Sequence, residues 1–554
     1  MKSYQSDRSS FNRFITGVKP YLLPGLILIV AITARVLPGA RTIDDAYITY
    51  RYARNILAGN GFVFNPGEHV LGTTTPLYTI LLVIIGAFTG GTQAPFPFLA
   101  LLINAIADAA TCLLILDIGR RLGSILAGIG GALIWAIAPF SVTFAIGGLE
   151  TSVYILLLVA TVTAHLRKRP ILAAFLGALS LLTRPDAMIL IGLIGLDRVF
   201  QVAREIVKDR RDLSDGGETV IVVKKKLKHN VHRVKILQEI AAFIVPLLPW
   251  LIFATLYFGS PVPHSILAKA LAYRLEPIAG LSRFLQHFAT PFNEDLTFGR
   301  VGILIGLVLY PFLSIIGILR AIRINPRGWP FLLYPWFYFA VFSIANPLIF
   351  RWYLTPPLPA YFLTIIMGLE QLLTGVKGIR VAPSSFSVHP RYKRIILTCI
   401  IIIPLILVSR AWVLRPDHGL DHPAPDMAWY QLELLYRQAA EVLAPELNTQ
   451  NVLAAGDVGV LGYFTPARIL DTVGLNSPES SHYYPLNPAY YVISYAIPPD
   501  LIMDEKPDFI VLLEVYGREG LLKDSRFWQT YQLHTKLSTD IYGSDGMLIF
   551  KKIR

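Results

Sequence analysis

Charge is what this sequence has least of. Only 16% of its 554 residues are Asp, Glu, Lys or Arg, against about 25% in soluble globular chains. With 54% hydrophobic residues and a mean hydropathy of +0.53, that scarcity excludes an ordinary soluble domain and describes a chain that crosses a bilayer repeatedly. Cysteine is scarce too. Cys112 and Cys399 both fall in apolar runs, which excludes a disulfide framework or a zinc site and leaves two small buried hydrophobes. Lys plus Arg outnumber Asp plus Glu by 50 to 37. In such a chain the surplus sets topology instead of binding nucleic acid, so nucleic-acid partners are set aside. Lys2, Arg8, Arg13 and Lys19 precede an apolar run with no small-residue cleavage site before Arg35, so the N-terminus reads as a signal anchor.

Apolar runs of roughly 17 to 25 residues are long enough to span a bilayer. They start near Tyr21, Phe96, Ile125, Leu149, Ile171, Met188, Ile236, Val301, Phe331, Tyr353 and Ile395, which predicts about eleven crossings. Basic short loops stay cytoplasmic. Here they are Arg120-Arg121, Arg167-Lys168-Arg169, residues 204–235, Arg320 to Arg327, and Lys377 to Arg394. With these loops and the N-terminus inside, the region from Arg41 to Phe96 begins and ends outside. The apolar stretch from Pro76 to Gly90 therefore cannot cross and is expected to lie against the outer face. The same parity puts Gly147 to Thr151, Thr183 to Asp186, Gly259 to Arg300, Asn346 to Arg351 and everything after about Ala411 outside.

Two regions differ from this pattern. Residues 203–235 hold ten Lys or Arg and five Asp or Glu with little periodicity and read as a mobile cytoplasmic loop suited to lipid headgroups. From about residue 414 hydropathy drops. An amphipathic helix near Trp429 to Leu443 and strands near Val452–Ala455, Phe509–Leu513 and Met547–Phe550 predict an extracytoplasmic soluble α/β domain over 414–554, after a membrane unit over 1–413 that carries the outer loop 41–95.

The polar constellations share the outer side. Asp44-Asp45 directly follows a span and opens a helical stretch studded with Tyr47, Arg51 and Arg54. An attacking hydroxyl needs a carboxylate to take its proton, which Asp44 or Asp45 would supply; the alternative is that the pair only caps the helix. Glu150 opens an otherwise uncharged span and is either a helix N-terminal acid or a partner for substrate, metal or cation. In Thr183-Arg184-Pro185-Asp186, Arg184 and Asp186 pair with each other or Arg184 holds a phosphate. Two prolines in Ser260-Pro261-Val262-Pro263 deliver His264 and Lys269 near the outer surface. Arg351, at a Pro-broken helix entry with Trp352 and Tyr353, suits phosphate binding or interface anchoring. Gly456-Asp457-Val458-Gly459-Val460-Leu461-Gly462 follows a strand, but its spacing is not that of a dinucleotide loop, and its glycines are assigned to turn geometry.

In order along the chain, Asp44-Asp45-Ala46-Tyr47-Ile48-Thr49, Asn60 to Glu68, Thr75-Pro76-Leu77-Tyr78, Gly148-Leu149-Glu150-Thr151, Thr183-Arg184-Pro185-Asp186, Gly259 to Lys269, Arg351 to Pro359 and Asp457 to Tyr463 resemble the GT-C superfamily of membrane glycosyltransferases, in particular its terminal arabinofuranosyltransferase-like branch. The resemblance implies a polytopic α-helical fold, a cytoplasmic N-terminus in the plasma membrane, catalysis on the outer face and a polyprenyl-phosphate sugar donor. It also implies a base among Asp44 and Asp45, with a glycan, lipid or protein of the cell envelope as acceptor. Glu150 is then expected to assist, Arg184, Lys269 and Arg351 to grip the donor phosphate, and Tyr47, Arg51, Arg54 and His264 to touch substrate. No cofactor is certain; Asp44 and Glu150 are the acids that would share Mg²⁺ or Mn²⁺ if a divalent cation takes part. This sequence departs at His264, where relatives often carry Asn, and at Thr73-Thr74-Thr75, where they carry an aromatic-rich motif, so sugar and acceptor stay open. The rival class is a transporter or flippase of lipid-linked sugars, which inverted repeats would favour; the chain has no convincing internal repeat. A non-catalytic binder of such lipids is the third reading.

Overall fold

A backbone inside hydrocarbon must satisfy its own N–H and C=O groups, which is why apolar runs become helices. The computed structural model describes residues 21–212, 218–344, 350–374, 390–412 and 430–553, and a helix stands at every predicted span. They are α1 (Leu22–Val36), α2 (Asp44–Leu57), α3 (Pro76–Phe88), α4 (Phe96–Arg121), α5 (Ile125–Ile137), α6 (Pro139–Ile146), α7 (Thr151–Leu166), α8 (Pro170–Thr183), α9 (Met188–Asp212), α10 (Glu218–Phe258), α11 (His264–Ala272), α12 (Ala279–Ala289), α13 (Asp295–Ile324), α14 (Trp329–Ile344), α15 (Leu358–Thr374) and α16 (Pro390–Arg410).

Three of these are long and apolar enough to cross a membrane by themselves: α4, residues Val234–Phe258 of α10, and α13. The pair α5–α6 reaches that length and apolarity together, bent by 44° where Pro139 has no N–H to continue the ladder. Helices α1, α3, α7 and α8 are apolar but shorter. At 13 residues, α3 is about 20 Å long against a hydrocarbon core of about 30 Å. Helix α4 is the bundle's centre, with 67% of its apolar window buried, whereas that of α10 is 11% buried and offers Leu237, Ile244 and Leu256 outward.

Residues 203–235 differ from expectation. Outside 213–217, which lie beyond the described residues, this stretch continues α9 and α10 as helix. Lys, Arg, Glu and Gln lose little freedom in a helix, so a segment without an apolar face still extends the helices that flank it.

Ion pairs mark both ends of the bundle. At one end Asp117 pairs with Arg121 at 2.7 Å and Arg167 at 3.1 Å, while Glu370 takes Arg320 at 2.8 Å and Ser124 at 2.6 Å. At the other lie Asp45, Glu150, Arg184 and Lys269.

Beyond the bundle, α17 (Tyr430–Leu443), β1 (Val452–Ala455), α18 (Gly459–Phe464), β2 (Arg468–Asp471), β3 (Phe509–Leu513), β4 (Tyr531–Leu537) and β5 (Met547–Lys552) build the C-terminal domain. Its sheet runs β2-β1-β3-β5-β4, with β1 parallel to β2 and β3, and β5 antiparallel to β3 and β4. The three predicted strands form its middle. Edge strands β2 and β4 carry too many polar residues to announce themselves by hydrophobicity. Helix α17 matches the predicted one, except that Trp429 lies outside the described residues.

The outer loop and this domain share one hydrophobic core. Tyr47, Tyr50 and Ala53 of α2 pack in a single cluster with Val460 and Leu461 of α18 and with the buried faces of β1 and β3. The region expected to belong to the membrane unit is thus a structural part of both.

Candidate active site

Helix α2 begins immediately after Ile43, whose N–H bonds the Gly147 carbonyl at 3.0 Å. Its two adjacent acids then part company, because successive helical residues point about 100° apart. Asp44 is turned into the domain interface. Its Oδ2 accepts the Gly459 N–H at 2.9 Å and its Oδ1 the Val460 N–H at 2.7 Å, so it caps α18. Its own N–H donates to Glu433 Oε1 at 3.0 Å. A Cβ on Gly459 would fall 1.9 Å from the Asp44 carbonyl oxygen.

The other polar residues of α2 behave like Asp44. Arg51 donates to the carbonyls of Phe64, Gly462 and Ala467 and to Asn65 Oδ1, at 2.7 to 3.1 Å. Arg54 donates to the Tyr463 carbonyl at 2.6 Å and lies 3.7 Å from that ring's centroid. Tyr47 packs on Tyr463 and Phe464 with centroids 5.1 and 5.4 Å apart. These three, expected to touch substrate, fasten α2 to the C-terminal domain. The Gly456–Gly462 run is corrected likewise. None of its glycines has positive φ; Gly459 and Gly462 are small so that Asp44 and Arg51 can approach, and Gly456 admits the Tyr495 ring.

Asp45 points the other way. Its Oδ2 faces Lys269 Nζ at 3.5 Å, with side chains 33% and 23% exposed. The Lys269 ammonium sits 4.6 Å from the Phe350 ring centroid and 6.0 Å from that of Trp352. Burial works against the lysine's charge, but Asp45 and Tyr353 hold its pKa above the usual value, so the ammonium stays charged.

Glu150 reaches the same place by a different route. The turn at Gly147-Gly148, with Gly148 at φ 76°, is clasped by Tyr50 and Tyr78, whose hydroxyls bond the Gly148 carbonyl at 3.3 and 3.1 Å. Asn104 of α4 donates to the carbonyls of Ala145 and Leu149. This brings Glu150 Oε1 to 3.6 Å from Arg184 Nη1. The expected Arg184–Asp186 pair is present and bidentate, at 2.9 and 3.1 Å, with the Tyr338 hydroxyl also donating to Asp186 at 2.9 Å. The guanidinium lies between the rings of Tyr154 and Tyr353. Its Nη1, buried, has no hydrogen-bond partner. Asp45, Glu150, Arg184 and Lys269 therefore cluster around Tyr353, with Glu150 and Arg184 buried and Asp45 and Lys269 half-buried.

A metal shared by Asp44 and Glu150 does not fit this donor set. Both Asp44 oxygens accept backbone N–H groups, Glu150 faces a guanidinium, and among the described residues no three His, Cys, Asp or Glu converge as ligands.

Comparison with known proteins bears on what this arrangement belongs to. The solved structure of ArnT from Cupriavidus metallidurans bound to undecaprenyl phosphate superposes with a TM-score of 0.51 at 12% identity, over 96% of this chain and 97% of that one. The oligosaccharyltransferase AglB of Archaeoglobus fulgidus, in complex with an inhibitory peptide and a dolichol-phosphate, gives 0.51 at 13% identity over 92% of this chain and 72% of its own. The chain has a GT-C fold. A curated relative, the terminal β-(1→2)-arabinofuranosyltransferase of Mycobacterium tuberculosis, is 34% identical over 168 residues. That match spans 27% of this chain and 27% of the relative. A family profile described as "Domain of unknown function (DUF8728)" matches residues 426–550, the C-terminal domain.

Two of the expected site residues stand apart from the cluster around Tyr353. His264 begins α11, but its ring contacts Ser481 Oγ of the C-terminal domain at 3.2 Å, away from Lys269 at the other end of the helix. Arg351 is exposed and depresses the pKa of Arg283 on α12, adding to the effect of burial. One residue was not singled out from sequence: Asp457, whose Oδ2 accepts the hydroxyls of Tyr436 at 2.8 Å and Tyr516 at 3.2 Å. Burial and the charge of Asp45 push its pKa up to about 6, against those two bonds. Its presence in the Asp457 to Tyr463 motif was the available signal.

Proposed function

We propose that this GT-C chain is a membrane glycosyltransferase that moves a sugar from a polyprenyl-phosphate donor to a cell-envelope glycan, lipid or protein acceptor on the outer face. Asp45 is the base. Burial and Asp457 raise the pKa of Asp44, which would suit a proton acceptor, yet both its oxygens are taken by N–H groups. Asp45 is half-exposed, with Lys269 Nζ 3.5 Å from its Oδ2 and, among the described residues, no backbone N–H on its carboxylate, and this observation carries the reading.

In the reaction the acceptor oxygen bonds to the anomeric carbon as the bond from that carbon to the phosphate oxygen breaks. The bonding pair leaves on the phosphate, and the hydroxyl proton goes to Asp45. Lys269, Arg351 and the unpartnered Nη1 of Arg184 compensate the departing charge next to low-dielectric lipid. Glu150, held by Arg184, orients the acceptor. Tyr47, Arg51, Arg54 and Asp44 position the C-terminal domain over the site.

This reading assigns about eleven crossings, with the N-terminus inside and residues after 411 outside, since an odd count keeps every basic loop cytoplasmic. The names of the curated relative and of the two solved structures make a lipid-linked donor, and arabinofuranose as its sugar, the combination to assay first.

The test is transfer of labelled sugar from a defined polyprenyl-phosphate donor by the purified chain. Asp45→Asn is expected to bind donor normally and lose turnover, while translocation of the lipid without transfer would mean a flippase. Topology is checked by cysteine at position 430, which an impermeant thiol reagent should label on intact cells; labelling within 204–235 instead would reverse the orientation.

A further inference from the structure

An aromatic path leads from the Asp45–Lys269 pair into the C-terminal domain. Trp352 stacks on Phe350 with centroids 4.6 Å apart, Phe350 meets Tyr273 at 6.0 Å, Tyr273 meets Tyr495 at 5.5 Å, and Tyr495 meets Tyr516 at 5.1 Å. The Tyr516 hydroxyl bonds Asp457. One end of the path therefore carries a cation and the base, and the other carries a carboxylate.

The hydrogen bonding of Asp457 is lopsided. Both tyrosine hydroxyls reach Oδ2, and among the described residues nothing donates to Oδ1. The Tyr273 hydroxyl likewise has no hydrogen-bond partner there. A carboxylate gripped by one oxygen and left open at the other is oriented to accept a bond from something else. Asp457 and Tyr273 are half-buried, so a ligand can reach them while the surrounding core stays dry.

We infer that the face bounded by Asp45, Lys269, Tyr273, Phe350, Trp352 and Asp457 is the acceptor-sugar subsite, in which the open oxygen of Asp457 receives acceptor hydroxyls. The inference rests on the glycosyltransferase reading. Charge separates acceptor from donor: a phosphate is drawn to Lys269, Arg351 and Arg184 and repelled by Asp457, whereas a neutral polyol gains from an anionic acceptor group and from ring faces against its C–H bonds. Geometry agrees. A polyprenyl chain entering from the helices and an acceptor entering beside the C-terminal domain would meet at the Asp45–Lys269 pair. An acceptor held by Asp457 extends towards Asp45, whose charge already reaches Asp457.

The experiment measures binding and transfer separately on the full-length chain in detergent. The probe is the octyl glycoside of an arabinofuranose disaccharide, with octyl mannobioside as a pyranose comparison, titrated calorimetrically into wild type, Asp457→Asn and Tyr273→Ala. Asn keeps the shape and the tyrosine bonds but turns an amide N–H₂ to the ligand. Both variants are expected to bind the probe roughly tenfold or more weakly, to raise the acceptor KM more than they lower kcat, and to leave donor affinity unchanged. Equal probe affinity in wild type and Asp457→Asn overturns the inference, as does a wild type that binds neither glycoside. Tyr273→Ala reports on the same face if Asp457→Asn unfolds. A binding difference without transfer sinks the glycosyltransferase reading alone, whereas transfer with equal affinities sinks only the subsite.

Discussion

Two buried charge networks in this protein have opposite designs. Inside the bundle, Arg35 donates to Asp108 at 2.8 Å, to the carbonyls of Ala31 and Ala136 and to Ser141 Oγ. Asp108 also accepts from Trp135 and Ser152. Both charged side chains are fully buried, and the network is closed. At the outer end, Arg184 keeps an unpartnered Nη1, Glu150 stands 3.6 Å away, and Lys269 and Asp45 are partly open. Ionisable groups near lipid invite a functional reading. Satisfied hydrogen bonding distinguishes the network that locks helices together from the one with capacity left for a ligand.

Breaking the closed network should have the larger effect. Arg35→Ala leaves the buried Asp108 without its cation, a change of about 3–5 kcal/mol, and is expected to abolish recovery of folded protein in detergent. Replacing both partners, as Arg35→Met with Asp108→Leu, should restore much of it because apolar isosteres need no compensation. Thermal unfolding of the three proteins checks this. A stable single variant would mean that the pair is not a lock.

Breaking the open network should instead affect rate. Asp45→Asn is expected to lose about a hundredfold or more in turnover with little change in melting temperature. Asp44→Asn should do the reverse, turning an amide N–H₂ against one of the two N–H donors of α18 at a cost of about 1–3 kcal/mol and loosening the C-terminal domain in limited proteolysis. If Asp44→Asn loses turnover with the domain still docked, the assignment of the two acids is inverted.

These contrasts also explain what was legible in the sequence. Helix positions were, because a run such as Val301 to Ile324 can only satisfy its backbone in hydrocarbon as a helix. The motif residues were legible as a set but not by role. Asp44 meets Gly459 and Arg51 meets Gly462, partners more than 400 positions away, and no local periodicity reports such a contact. Arg35 and Asp108 were invisible as a pair for the same reason. Arg184 and Asp186, two residues apart, were predicted correctly because their partnership is local.

Arg351 sharpens the comparison at a smaller scale. It is exposed, so water and salt screen it more than the buried Arg184. Arg351→Ala is expected to weaken donor binding several-fold at low ionic strength, with the difference shrinking near 1 M salt, where the screening length is about 3 Å. Unchanged binding at all salt concentrations would leave it as an interface anchor.

The last contrast is a pair of opposed pH dependences centred on Asp457. Its pKa stands at about 6, above the ordinary aspartate value of about 3.9. The folded domain therefore binds this proton more tightly than the unfolded chain does. The stabilisation is fully present below about pH 4 and lost as pH rises through about 6. Glu433, raised by burial and by Asp44, and Asp471, raised to about 6 by burial, add the same sign. Ligand binding should run the other way, since Asp457 accepts hydroxyl hydrogen bonds best when ionised. The groups around it are the hydroxyls of Tyr436 and Tyr516, the carboxylates of Asp45, Asp44 and Glu433, and the rings of Tyr273, Tyr495 and Tyr542. Of these, the phenols stay neutral over pH 4 to 7. Glycoside affinity in the wild type is thus expected to rise up to about tenfold between pH 5 and 7 while domain stability falls, and Asp457→Asn should flatten the first slope and reduce the second. Two slopes of the same sign, or an unchanged affinity slope in Asp457→Asn, would remove Asp457 from the acceptor's path.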